Sequence, residues 1–282
     1  MVGPPLPAAI RHDVHMTTLG VACLPQVPPE QLRNVAVAAD GAGLEELWLW
    51  EDCFWGGAIP ACSAALAWTT NLRVGVGVLP VPLRNVASAA MDAAMLHRLF
   101  PGRVTIGVGH GIQSWMRQAG VAAESPMTLL REYLAALRAL LAGGRLSADG
   151  RYVHLEDVAL EWPPTMSPQV LVGAIGPRTL RLSGEAADGT VLTAGNSPED
   201  VRRARELIAE GQAAAGRVGG HRLVVHLNVD DHDAAQTAAA VSGLADAGAD
   251  TVILQPSPRE ADDLERFVRF ACERVRPLLL PE

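Results

Sequence analysis

The chain has 282 residues, 49% of them apolar, and a net charge of −8 at neutral pH. That length fits one large α/β domain of about 250 residues. The acidic balance, with no basic stripe, argues against nucleic acid or an anionic membrane as partner. All 23 basic residues are arginines, which excludes chemistry that needs an amine side chain, such as a Schiff base or a Walker-type phosphate lysine.

Residues 1–16, "MVGPPLPAAIRHDVHM", hold three prolines and no apolar run of signal-peptide length. They read as a loose extension ahead of a single domain over 17–282. Strand Thr18–Cys23 comes first, then helix Glu30–Ala42 ended by Gly43, strand Glu46–Trp50 and helix Ile59–Thr69. Strand Arg73–Leu79, helix Asn85–Leu99 and strand Arg103–Val108 follow, and Pro126–Leu141 is a strongly periodic helix. Gly143–Pro168 breaks the rhythm with "GGRLSADG" and "YVHL" and reads as an excursion carrying a hairpin. The pattern resumes with strand Val170–Ala174, helix Pro177–Ala187, strand Thr190–Thr193, helix Pro198–Ala215, strand Leu223–Val229, helix Ala234–Ala247, strand Thr251–Leu254 and helix Pro258–Leu278.

Eight βα units with near-continuously apolar strands predict a (β/α)8 TIM barrel, with the hairpin between the fourth and fifth strands. No GxGxxG follows the first strand, which weakens an open dinucleotide-binding sheet. Cys23, Cys53, Cys62 and Cys272 form no CxxC pair and no zinc pattern, so reduced thiols and a cytoplasmic protein are expected, with no metal. No stretch approaches about 18 consecutive apolar residues.

Barrel enzymes work at the C-terminal ends of their strands. Those ends offer Trp50, Glu51 and Asp52, with Trp55 beyond; Gly77-Val78-Leu79; Gly109-His110-Gly111, with Trp115 beyond; and Thr193 to Asn196. The turn Ile175-Gly176-Pro177-Arg178-Thr179 opens a helix with proline at its first position. Free first-turn amides, the helix dipole and an arginine fork suit a phosphate there; an ordinary turn with a surface arginine is the alternative. Glu51 and Asp52 are adjacent and point opposite ways, so they are not a glycosidase pair. Few acid–base groups among many glycines and aromatics suit a flat, phosphate-bearing cofactor that brings its own chemistry. His110 between glycines is the prime candidate for proton transfer and Asp52 the next. Trp50, Trp55 and Trp115 are candidates for the substrate pocket, with plain packing as the alternative for Trp50 and Trp55. Asp52 also suits a loop cap, and the alternation on the seventh strand allows His226 to point into the barrel.

Three segments, "GLEELWLWEDCFWGG", "TNLRVGVGVLPVPLRNVASAAMDAAMLHRLFPGRVTIGVGHG" and "VLVGAIGPRTLRLSGEAADGTVLTAG", resemble the luciferase-like flavin or deazaflavin monooxygenase and reductase superfamily in order and spacing. The resemblance implies a bulge, often with a non-prolyl cis peptide, near Gly77-Val78 beneath the cofactor ring, bordered by Leu79 and Gly111. It implies a cofactor phosphate held by Ile175 to Thr179 with Thr193 and Gly195. The Gly-Pro-Arg turn and compact chain look more like members that use coenzyme F420 and move a hydride to or from a small substrate. An FMN-dependent monooxygenase is the alternative, and a non-catalytic cofactor-binding member a second. A homodimer is expected. Sugar-phosphate dehydrogenases of the group carry an Asp-His pair after strand 2 and a Glu after strand 4; Glu51-Asp52 and Ile112 stand here, which speaks against that substrate.

Overall fold

The computed structural model describes residues 17–230, 233–257 and 263–280; the loose extension expected at 1–16 lies outside them. Eight parallel strands close into a barrel: β1 (Thr18–Cys23), β2 (Glu46–Leu49), β3 (Arg73–Pro80), β4 (Val104–Gly109), β7 (Val170–Gly173), β8 (Gly189–Leu192), β9 (Arg222–Val229) and β10 (Thr251–Pro256), with β10 pairing back onto β1. The hairpin β5 (Leu146–Asp149) and β6 (His154–Val158) stands apart, between β4 and β7, as the excursion predicts. Around the barrel run α1 (Leu32–Gly41), α2 (Ala58–Ala67), α3 (Val86–Leu99), α4 (Gln113–Gln118), α5 (Pro126–Leu141), α6 (Pro177–Ala186), α7 (Pro198–Ala214), α8 (Ala234–Asp246) and α9 (Leu264–Arg269). Among the described residues no helix is long and apolar enough to cross a membrane.

Local chemistry sets the helix starts. Proline occupies the first turn of α5, α6 and α7, where its missing N–H has no intrahelical partner to lose. Asn85 and Asp233 cap α3 and α8, and Ser197 with Asp200 forms a capping box on α7. The last helix departs from the sequence expectation. After α9 the backbone widens into a π-turn over Phe270–Val275 and tightens into a 3₁₀ turn over Arg276–Leu279, where Pro277 has no N–H to continue the ladder.

Inward positions alternate along each strand. The N-terminal end of the barrel is shut by an ion-pair network on Glu46, which is 3% exposed. Its carboxylate accepts from Arg222 Nη2 at 2.6 and 2.7 Å, Arg73 Nε at 3.2 Å and Trp48 Nε1 at 2.9 Å. Arg222 reaches on to the hydroxyls of Thr251 and Thr105. One level up, Trp48 fills the interior. A Cβ at Gly75 or Gly77 would strike its ring, at 2.7 Å from Cε3 in the case of Gly77. His226 lies against both tryptophans of β2 and its C-terminal end, with ring centroids 6.0 Å from Trp48 and 5.6 Å from Trp50.

Candidate active site

At the open, C-terminal end of the barrel, the register of β3 against β4 shifts between Val76 and Leu79. The Gly77–Val78 peptide within that bulge is cis, as is Cys53–Phe54. The bulge turns the Val78 side chain inward, into a recess lined by glycines: a Cβ at Gly107, Gly109 or Gly173 would stand 3.0, 2.8 or 3.0 Å from a Val78 methyl. The missing side chain at Gly77 faces Trp48, and Leu79 is 3% exposed. Gly77 is therefore a packing glycine, its empty side facing protein and not the open mouth. Gly77→Val is expected to overpack the barrel by about 1–3 kcal/mol and to lose cofactor binding as the Trp48 ring is displaced. Thermal melting checks this, and a variant melting with the parent contradicts the contact.

Two neighbours at the end of β2 take opposite roles. Glu51 is buried and fully engaged: Arg84 Nη1 and Nη2 donate to it at 2.5 and 3.0 Å, and the Ala58 amide at 3.0 Å. It ties the β2 end to the start of α2 and the loop before α3. Asp52 is half-buried, and its carboxyl makes no hydrogen bond among the described residues; only its backbone carbonyl accepts, from the Trp55 amide. The loop-cap reading of its side chain is thereby lost. Burial pushes the Asp52 carboxyl above the ordinary carboxylate range. Trp50 is half-buried with Nε1 lacking a partner, while Phe54 and Trp55 are 67% and 61% exposed on the rim.

His110 follows β4. Its Nε2 lies 3.2 Å from Thr179 Oγ1, on the first turn of α6, and the Thr179 hydroxyl also faces Met127 Sδ at 3.6 Å. Its Nδ1 is buried without a partner. Burial lowers the His110 pKa below the usual imidazole value, and the nearby Pro126 carbonyl acts in the opposite direction. Gln113 Nε2 pins the loop by donating to the carbonyls of His110 and Gly111. Gly111 has φ +68°, and a Cβ there would stand 2.8 Å from Met116 Sδ, so local geometry is enough to require glycine. Trp115 is half-buried on α4.

The turn into α6 places Pro177 at the first helical position after Gly176. The Thr179 amide, expected to hold phosphate, already donates to the Gly176 carbonyl at 3.0 Å. The amides of Gly176 and Arg178 make no such bond, a Cβ at Gly176 would meet open space, and Ile175 is 80% exposed. Arg178 is exposed and forms no ion pair among the described residues. Thr193 and Gly195, at the end of the neighbouring β8, are also exposed, and Gly195 has φ +94° with open space on its empty side. These features fit a phosphate-bearing cofactor: free amides and a cation at one side of the mouth, exposed apolar residues around it, and unpartnered polar atoms of Trp50 and His110 in its wall.

His226 completes that wall from below. It is 3% exposed, neither ring nitrogen has a partner, and burial lowers its pKa to about 4. Sequence reading noted Glu51 only as no partner for Asp52, passed over Arg84, and missed the packing purpose of the glycines. The alternation of Glu46, Trp48 and Trp50 on one strand face was the available signal for an inward stack.

The family model for luciferase-like monooxygenase matches residues 8–267, and the chain belongs to that family. The 5,10-methylenetetrahydromethanopterin reductase of Methanolobus tindarius is 30% identical over 201 residues, covering 71% of this chain and 61% of that protein; the match thus spans about three fifths of the relative's length. An F420-dependent secondary alcohol dehydrogenase in complex with an F420-acetone adduct shares the fold at TM-score 0.84 and 17% identity, over 94% of this chain and 99% of that one. The oxygenating constituent of 3,6-diketocamphane monooxygenase from Pseudomonas putida, in complex with FMN, does so at TM-score 0.72 and 15% identity, over 94% and 99%.

Proposed function

We propose that the protein is an oxidoreductase that binds coenzyme F420 at the barrel mouth and transfers a hydride between it and a small organic substrate. The observation that carries this reading is the Gly176–Arg178 turn, with two free amides and an unpaired arginine beside a mouth walled by unpartnered polar atoms. Family membership supports the reading, as does the likeness to a protein described as F420-dependent. The coenzyme supplies the hydride chemistry. The chain's residues would position it and manage the proton: the α6 turn would hold the phosphate, Val78 would lie against the ring, and the aromatic rim would keep water from the reacting face.

Proton handling falls to His110 and Asp52. Burial shifts His110 down and Asp52 up, so both lean toward their uncharged forms. An uncharged carboxyl donates a proton directly, and a neutral imidazole donates or accepts a hydrogen bond. His110→Ala is expected to keep cofactor affinity within a few-fold and lower single-turnover oxidation of the reduced cofactor about a hundredfold, the low end for a lost general acid. A collapse in Asp52→Asn with His110→Ala unaffected moves the donor role to the carboxylate.

Titrating the protein with FMN and with the deazaflavin tests the cofactor. Tighter binding of the deazaflavin is expected; tight FMN binding with the deazaflavin rejected favours the oxygenating branch of the family. Arg178→Ala is expected to weaken the bound cofactor about tenfold or more, since a charge-assisted contact contributes about 1.5–3 kcal/mol. An unchanged dissociation constant with a lowered melting temperature makes Arg178 a structural surface residue.

A further inference from the structure

A second cavity, of about 340 Å³, opens between the loop after β3, the N-terminal half of α5 and the turn of the β5–β6 hairpin. That size admits a small organic molecule. Of the residues described at the barrel mouth above, Arg84, which holds Glu51, also lines it. Its apolar wall includes Val86 and Leu129, and its polar residues are Arg84, Asn85, Tyr133, Tyr152 and His154, the last paired with Asp149. Tyr133 is 3% exposed, yet its hydroxyl makes no hydrogen bond among the described residues. That hydroxyl is not among the enclosed, unpartnered side-chain atoms, so it reaches the cavity surface and is free to donate to a ligand oxygen. Tyr152 accepts from the Ser125 amide at 2.7 Å through its oxygen, leaving its O–H free to donate. Asn85 spends its carbonyl on capping α3 and keeps its amine.

Charge narrows the occupant. Arg84 is the cation on the wall, and Glu51 already matches it. An anion entering here meets a guanidinium already neutralised by Glu51, while the tyrosine hydroxyls offer donors to a neutral oxygen. We propose that this cavity is a binding site for a small neutral molecule with a compact apolar body and one hydrogen-bond-accepting oxygen, such as an aryl ketone, held by the Tyr133 hydroxyl.

Acetophenone, benzoate and toluene serve as probes in NMR titrations of the full chain. The expected result is saturable binding of acetophenone, weaker binding of charged benzoate, and a loss of acetophenone affinity of about threefold or more in Tyr133→Phe, the worth of one hydrogen bond. Toluene, with no oxygen, is expected to bind Tyr133→Phe as it binds the parent. Ala122→Trp, at an exposed position on the cavity wall, is expected to abolish binding of both without lowering the melting temperature. No saturable binding of acetophenone, equal affinity in all three proteins, or benzoate bound more tightly than acetophenone overturns the proposal. The cofactor site plays no part in these readouts.

Discussion

Glu46→Ala is expected to lose about 3–5 kcal/mol of unfolding free energy, the range for removing one partner of a buried ion pair. The carboxylate is shared by Arg222, Arg73 and the Trp48 indole at the closed end of the barrel. Its removal leaves the Arg222 guanidinium facing a cavity and strips the Trp48 N–H of its acceptor. The loss therefore sums an uncompensated charge, an unpaired donor and a void. Urea unfolding measures it. A Glu46→Leu, Arg222→Met double variant, which removes both charges and keeps the volume, is expected to recover much of the loss. A single variant within about 1 kcal/mol of the parent, the worth of an exposed pair, shows that water reaches the network.

Acid is expected to unfold the protein between pH 6.5 and about 4. His97, His221 and His226 are each pushed by burial from 6.5 to about 4. The folded chain keeps them neutral where the unfolded chain protonates them, so their contribution is complete above pH 6.5 and falls with falling pH through that window. Each contributes a slope of about 1.4 kcal/mol per pH unit, so together they approach about 4 kcal/mol per unit. Asp52, raised by burial, acts with the opposite sign, while Asp40, lowered chiefly by the amides of Thr70, Asn71 and Leu72 against the burial that opposes them, loses its stabilisation at lower pH. His226→Phe keeps an aromatic ring against Trp48 and Trp50 and removes one titrating group. Urea midpoints measured across the window should show its slope reduced by about a third. An unchanged slope means His226 takes up its proton in the folded state.

Much of the barrel was legible because parallel strands covered on both faces read as apolar runs, and the eight runs recur between helical patterns. The hairpin was legible from its turn residues. Helix ends were not: α1 begins at Leu32 after a 3₁₀ turn at Pro29–Gln31, and the last helix unwinds before Pro277. The α6 turn was readable from Gly176 and Pro177, but not that the Thr179 amide is spent on the Gly176 carbonyl. Long-range partners were out of reach. Glu51 is held by Arg84, 33 residues on, and Glu46 meets Arg222 across 176 residues. A one-dimensional pattern also cannot show that the empty sides of Gly75 and Gly77 face the Trp48 ring.

The recess around Val78 ties four positions on three strands into one volume. Gly109 and Gly173 are small because residue 78 is not, a methyl at either falling within about 3 Å of it, while at Gly107 the Val76 carbonyl, at 2.8 Å, blocks a methyl as well. Such positions drift in concert. A lineage that trims residue 78 to alanine gains room for alanine at position 109 or 173, whereas alanine arriving there first meets a filled space. Among related chains, bulk at 78 should trade against bulk at 109 and 173. The mouth of the barrel can then change its contour by exchanging volume between strands while the closed end below, held by its ion pairs, stays fixed.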